Sequence, residues 1–342
     1  MKQYIISNEG QFYKANLHAH STNSDGHLTP EELKSIYKSV GYSVLAYSDH
    51  NVLIDHSDLN DEEFLTLTSV EINVVQAANK SIAYRPCYHI NFFPEDPHQV
   101  AIPCYNPRDV FGKRTDLRDA QIYIGTPDYV RDYENINDMI NTFAKNGFIA
   151  MLNHPTWSLQ RLEDYKNLDT THIFAMEIYN HGCYTEGYDE INSHIYDELL
   201  RKGHKLYCTA TDDNHNHFPS DHARWDSFGG FVMIKAPELT HRAIYNALKA
   251  GDFYASTGPK IFELYIEDER LYFKTSPAVK ITLTTAVRQA KVLYPEKDQV
   301  SLCEGFFDLR DVYPGYIRMT VFDANGKSAW SQPIYGTFSG KT

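Results

Sequence analysis

The chain has 342 residues, 42% of them apolar, a formal net charge of −13 and sixteen histidines. That length suggests one large domain and a smaller one. The acidity argues against long nucleic acid and anionic membrane surfaces as general partners, and no run approaches the roughly eighteen apolar residues of a membrane-spanning helix.

Five scattered cysteines, Cys87, Cys104, Cys183, Cys208 and Cys303, include no Cys-x-x-Cys pair. They fit reduced thiols better than a disulfide framework or a zinc knuckle. Residues 1–9 carry no signal-peptide pattern. The expectation is a cytoplasmic protein, with a homo-oligomer left open.

An apolar run enters the stretch Asn16-Leu17-His18-Ala19-His20, followed by Asp25-Gly26. In an extended strand His18 and His20 would face one point, where paired imidazoles suit zinc, iron or manganese. Alone, such a pair is commonly two half-exposed strand histidines. A helix follows, with Thr29 as N-cap, Pro30 at its first position and Glu32 completing a capping box. Leu33, Ile36, Tyr37 and Val40 would be its buried stripe and Gly41 its stop. Residues 42–48 form a nearly continuous apolar run, the mark of a buried parallel strand, and end at Asp49-His50. Strand, helix and strand make a βαβ unit.

Residues 64–70 lead into Glu71, and residues 87–92 carry His89 inside a short strand. Residues 96–133 show no period and suggest a lid or binding loop. A helix is expected over 135–146, a strand over 148–152 ending at Asn153-His154, and a strand over 174–179 ending near His181. Then come a helix over 188–202, a strand over 205–210 ending at Asp212-Asp213-Asn214-His215, a strand over 231–234 and a helix over 240–250. From about residue 258 the pattern is strands and turns without a long helix, which suggests a small antiparallel β-sandwich. The expected division is 1–257 and 258–342. Nothing in the tail has the look of a binding motif, so its expected role is a structural cap or a dimer contact.

Strand after strand in the first part ends in a metal-type residue, and ligands at the carboxyl ends of parallel strands would converge on one face. The motifs His18-Ala19-His20 with Ser24-Asp25-Gly26, Ser48-Asp49-His50, Ser69-Val70-Glu71, Asn153-His154-Pro155 and Asp213-Asn214-His215 resemble, in order and spacing, the polymerase and histidinol phosphatase (PHP) superfamily of metal-dependent phosphoesterases. His89 sits where that family has another histidine. The resemblance spans roughly residues 12–258 and implies an α/β fold, a distorted (β/α)7 TIM-like barrel. It implies two or three divalent ions (Mn, Fe or Zn). His18, His20, Glu71 and Asp213 would hold one. Glu71 would bridge to a second on His89 and His154, and Asp25, His50 and His215 would hold a third. Some family members have histidine where this chain has Asp25. Asp49, Asp212 and Asn153 would orient ligands through hydrogen bonds.

Water held between closely spaced divalent ions has its pKa lowered toward about 7, and the hydroxide can attack phosphorus in line. The expected function is hydrolysis of a small phosphorylated molecule, nucleotide-like or sugar-like. The same hydroxide could attack a carbonyl, so a C–N or ester hydrolase is the alternative. A non-catalytic metal-binding module is a further one, disfavoured by the complete ligand set. Arg224 and His181 are the candidate substrate contacts. Arg85, Arg108, Lys113, Arg114 and Arg118 offer further phosphate partners, although each also reads as a solvated loop residue.

Overall fold

The computed structural model of the protein describes residues 2–77, 85–110 and 114–338. In chain order it opens with β1 (Gln3–Tyr4), β2 (Gln11–Asn16), α1 (Pro30–Ser39), β3 (Val44–Tyr47), β4 (Leu65–Thr68), β5 (Val70–Val75) and β6 (Cys87–Pro94). Among its described residues the stretch without a sequence period contains short pieces: β7 (Ile102–Pro103), a 3-10 turn (Pro107–Asp109), α2 (Thr115–Ala120) and β8 (Tyr123–Ile124). Then follow α3 (Ile136–Lys145), β9 (Phe148–Leu152), β10 (Ile173–Asn180), α4 (His181–Glu186), α5 (Ser193–Arg201), β11 (Tyr207–Thr211), β12 (Phe231–Ala236), α6 (His241–Ala250) and β13 (Phe253–Ser256). The tail supplies β14 (Ile261–Glu267), β15 (Arg270–Ala278), β16 (Lys280–Thr285), β17 (Lys291–Leu293), β18 (Leu302–Asp308), β19 (Gly315–Phe322), β20 (Ser328–Trp330) and β21 (Ile334–Gly336).

The helices follow from their sequences. In α1 the Thr29 side chain accepts from the Glu32 amide while the Glu32 carboxylate accepts from the Thr29 amide, which is the expected capping box. Leu33 and Tyr37 are buried, but Val40 is exposed because the helix ends before it and the chain turns at Gly41 with φ +81°. In α3, Ile136, Met139, Ile140 and Phe143 recur on one face and are buried. The Phe143 ring stacks on Phe92 at 3.7 Å between centroids and meets Phe148 edge-on. Burying each such side chain contributes on the order of 1.5–3 kcal/mol.

Two sheets frame the first part of the chain. One has the order β11-β10-β9-β6-β5, with β9, β10 and β11 parallel and β6 antiparallel to both of its neighbours. The other contains β2, β3 and β4 in parallel, flanked by β12 and β13 in antiparallel pairing. The expected distorted (β/α)7 TIM-like barrel is therefore reduced to an α/β arrangement with open sheets. Among the described residues the two sheets meet through the isolated bridges Ala19↔Asn214 and His50↔Glu71 rather than through ladders. The reason is local, because side chains take the backbone donors where a ladder would continue. Ser48 Oγ accepts from the Ala19 amide, Asp49 from the Ser21 amide and Asn16 from the Asp212 amide.

The tail adds a second pair of layers. Strands β16, β17, β19 and β20 extend the second sheet beyond β13, while β1, β14, β15 and β18 form a separate four-stranded sheet. Leu264, Leu271 and Phe273 of one layer share a core with Ile281, Leu283, Met319 and Val321 of the other. The first part reaches into this core through Ile6 and Tyr254, and the tail sends Tyr316 and Trp330 into the core of the first part. Asp197 on α5 receives Arg318 Nε at 2.8 Å, Arg318 Nη2 at 2.7 Å and the Tyr316 hydroxyl at 3.0 Å, all buried. Removing one partner leaves a buried charge uncompensated. We therefore expect Asp197→Ala to lower unfolding free energy by about 3–5 kcal/mol, read as a shift in denaturant midpoint; an unchanged midpoint would show that the pair contributes nothing.

Candidate metal centre

Strand β2 stops at Asn16, so His18 and His20 lie just beyond it, in an extended segment fixed by three backbone bonds. His20 N–H donates to Asn214, Ser48 N–H to Ala19 and Asp213 N–H to His18. Both imidazoles have no exposed surface, and they turn to one point with Nε2 atoms 3.1 Å apart. Glu71 is the second residue of β5 rather than the last of the preceding strand. A new strand begins at Val70, immediately after β4. His154 follows β9 and Asp213 follows β11, at φ +22° and +52°. Such backbone is sparsely populated for non-glycine residues and is held only where the surroundings over-determine it. Gly26 serves by its lack of a side chain, since a Cβ there would sit 2.3 Å from the His20 carbonyl oxygen.

Three carboxylates and six imidazoles converge. His18 Nε2 is 3.3 Å from Glu71 Oε2 and 3.1 Å from Asp213 Oδ1; His20 Nε2 is 3.2 and 3.1 Å from the same atoms. Glu71 also faces His50 Nδ1 at 3.2 Å, His89 Nδ1 at 3.0 Å and His154 Nε2 at 3.3 Å. Asp25 lies 3.7, 3.6 and 3.5 Å from His20, His50 and His215. The nine predicted ligands fall into four overlapping donor groups. These are His18, His20, Glu71 and Asp213; His20, Asp25, His50 and His215; His50, Glu71 and His89; and His154 and Asp213 with Cys183. The first is the set the sequence assigned to one ion. The others differ: His20 is shared, His50 also joins His89, and a thiol enters beside His154.

The donor chemistry fits divalent cations. A cation at about 2.1 Å from N and O donors places neighbouring donors about 3.0–3.4 Å apart, which is the spacing found around His18 and His20. The electrostatics agree. Burial would raise the Glu71 carboxyl, yet His18, His89 and His50 hold it well below the ordinary range. Burial would lower His20 and His89, yet Asp213 and Glu71 for the first, and Glu71 for the second, draw each up to about 10. Burial takes His50 down to about 3 in spite of Glu71. Glu71 and Asp213 thus stay ionised inside the protein, and a divalent cation would offset their charge.

Glu177 is the functional side chain that the sequence reading missed. It sits in the middle of β10 with no exposed surface. It accepts from His18 Nδ1 at 2.8 Å, His154 N–H at 2.7 Å, Asn180 Nδ2 at 2.8 Å and Thr211 Oγ1 at 2.6 Å. One carboxylate thus fixes the ring of His18 and the backbone of His154; its signal was an acid inside the otherwise apolar run of residues 173–179. Asn153 behaves as expected and donates to Glu71 Oε1 at 2.7 Å. Asp49 and Asp212 act one step further out. Asp49 accepts from Ser21 N–H, Ser21 Oγ and Ser24 Oγ. Asp212 accepts from Tyr37 and from the amides of Phe228, Gly229 and Gly230.

The donors open into a cavity of about 560 Å³ whose wall includes Arg85, Trp157, Phe218 and Arg224. Trp157 packs edge-on against His89 and His154, and the Arg224 guanidinium lies 4.7 Å over the Phe218 ring. His181 is not on this wall; it bonds Tyr179 at 2.9 Å and packs against Gly229. Arg114 is spent on Asp116 and the Thr22 carbonyl, and Arg118 on Asp119. Arg108 is not on the cavity wall. Lys113 lies outside the described residues.

No protein-family model and no curated protein matches this sequence. Among solved structures, the chain is similar to a two-domain protein from Bacteroides vulgatus described as containing a predicted PHP-like metal-dependent phosphoesterase. The identity is 15%, the TM-score 0.46, and 98% of this chain and 97% of that one are covered. It is also similar to an amidohydrolase from Chromobacterium violaceum, with 18% identity, a TM-score of 0.39 and coverage of 70% of this chain and 96% of that one. No helix among the described residues is long and apolar enough to cross a membrane.

Because Glu177 sets two donors at once, Glu177→Gln should weaken divalent-metal affinity about 10–100-fold, measured by competition with a chromogenic chelator. Affinity equal to that of the unaltered protein would reduce Glu177 to a packing role.

Proposed function

We propose that this chain is a PHP-type metal-dependent hydrolase acting on a phosphoric ester of a small molecule, with residues 1–257 as the catalytic unit and 258–342 as a structural support. The observation that carries the reading is the gathering of all nine predicted donors into contiguous groups at one end of the sheets. With divalent ions held there, the site would have an activated water at neutral pH and positive charge to offset that on phosphoryl oxygens.

The chain's own residues do the rest. His18, His20, Glu71 and Asp213 define the innermost position. Glu71 turns Oε1 toward His89 and His154 and Oε2 toward His18, His20 and His50, so it can join two positions. Asp25 with His50 and His215 forms the outer position, where the Asp25 side chain is 40% exposed and open to exchange with solvent. Trp157 covers His89 and His154 and limits water there.

Phosphate is favoured over an amide by Arg85 and Arg224. Two guanidiniums stand on the cavity wall in a chain of net charge −13, Arg224 and Arg85, the second with its Nε donating to the Gln76 carbonyl and, among the described residues, its terminal nitrogens left for a ligand, and the planar fork suits phosphate oxygens. The cavity volume is in the range that holds a small ligand, consistent with a nucleotide-sized or sugar-sized phosphate.

The test is phosphate release from a panel of phosphorylated metabolites by protein loaded with Mn, Fe or Zn. We expect turnover that falls at least about 10³-fold in His18→Ala/His20→Ala and a several-fold rise in KM in Arg224→Ala. Cleavage of amides or carboxylic esters by the same loaded protein, with no phosphate released, would overturn the phosphoesterase assignment.

A further inference from the structure

We propose that Cys183 is a metal ligand, the sulfur donor of a position it shares with His154 and Asp213, and that it biases this position toward zinc, iron(II) or cobalt(II) over manganese or magnesium. The inference rests on the metal-centre reading above and refines it.

The three donor atoms lie within 4.8 Å of one another. Asp213 Oδ2 is 3.6 Å from His154 Nε2 and 3.8 Å from Cys183 Sγ. A tetrahedral cation with sulfur at about 2.3 Å and oxygen at about 2.1 Å sets those two donors about 3.6 Å apart. The Cys183–Asp213 separation is therefore within a few tenths of an ångström of the ligating value, and His154 lies within 4.8 Å of the thiol.

Its place is fixed by the same groups that fix the other donors. Asn180 caps α4 by accepting from the Cys183 amide at 3.0 Å, and its Nδ2 donates to Asp213 Oδ2 and Glu177 Oε2. Glu177 in turn holds the His154 amide. The preceding residue is pinned as well. Gly182 N–H donates to the Asp212 carbonyl at 2.7 Å, and a Cβ on Gly182 would lie 2.6 Å from the Asp213 carbonyl oxygen. Glycine at 182 lets α4 start close enough to β11 for Sγ to reach Asp213. The other thiol on the cavity wall differs, since Cys87 Sγ is directed to the Ser158 carbonyl.

Sulfur changes which ion is preferred. Thiolate is a soft donor that suits zinc and related ions, whereas manganese and magnesium favour oxygen. Binding at this position releases the thiol proton to solvent.

Cobalt(II) reports directly on sulfur ligation. Loaded into the intact protein, it should give both visible ligand-field bands and a near-ultraviolet thiolate-to-metal charge-transfer band. Cys183→Ser and Cys183→Ala should keep the visible bands and lose the near-ultraviolet band, whereas Cys87→Ser should keep both. Zinc affinity should fall by about tenfold or more in the Cys183 variants, with manganese affinity altered less. Visible bands without a charge-transfer band in the unaltered protein, or a band that survives in Cys183→Ala, would overturn the proposal and leave the metal centre standing. Absence of any cobalt uptake would instead remove the metal-centre reading on which it rests.

Discussion

One buried carboxylate organises this molecule. Glu71 is 1% exposed, and its two oxygens lie within 3.3 Å of imidazole nitrogens from His18, His20, His50, His89 and His154. An ionised carboxylate in such a place is tolerated only when compensated. The five histidines come from four segments of the chain, so satisfying one charge draws β2, β3, β6 and β9 toward the start of β5. The sheets need not close through hydrogen bonds to hold that point. The bridge between His50 and Glu71 is itself one of the few backbone links between them.

Around this carboxylate the fold gives up regularity. His154 and Asp213 sit on left-handed backbone, and the ladders stop where Asn16, Ser48 and Asp49 side chains take over the amides. These departures belong to one network. Glu177 couples His18 to His154, Asn180 couples Glu177 to Asp213 and Cys183, and Asn153 couples Glu71 to Asn91. Donor placement is thereby over-determined, and such redundancy keeps like charges together while allowing strained backbone to persist. The tail acts at a distance, through the buried Arg318–Asp197 pair that holds α5 behind β10 and β11.

Much of this could be read from residue order. The capping box at Thr29 and the spans of α3 and α6 rest on short-range chemistry and lie within a residue of where the sequence placed them. The donor set was legible because most of its ligands come just after a strand, a pattern that survives uncertainty in strand ends, although Glu71 lies near the start of β5 and His89 inside β6. What sequence could not supply was mutual register. The break between β4 and β5 shifts Glu71 from the end of one strand to the start of another. His181 looked available after β10 but turns toward Tyr179. Cys183 and Glu177 were hidden for opposite reasons. A single cysteine outside any pair carries no metal signature, and an acid inside an apolar strand becomes meaningful only when its four donors are known. The tail strands β17, β18, β20 and β21 are short or polar, and their pairing depends on partners distant in sequence.

Cations occupying the space around Glu71 are what distinguish a metal centre from an ion-pair network. The most direct test is anomalous diffraction from crystals grown with manganese or zinc, with data collected at the edge of the added metal. The account predicts two or three strong peaks beside the Glu71 carboxylate, one bounded by His18, His20 and Asp213 and one on the side of His89 and His154. Crystals that show no peak there after resupply with either metal, while the histidines keep their contacts to Glu71, would contradict it and leave a buried ion-pair network in place of a metal centre.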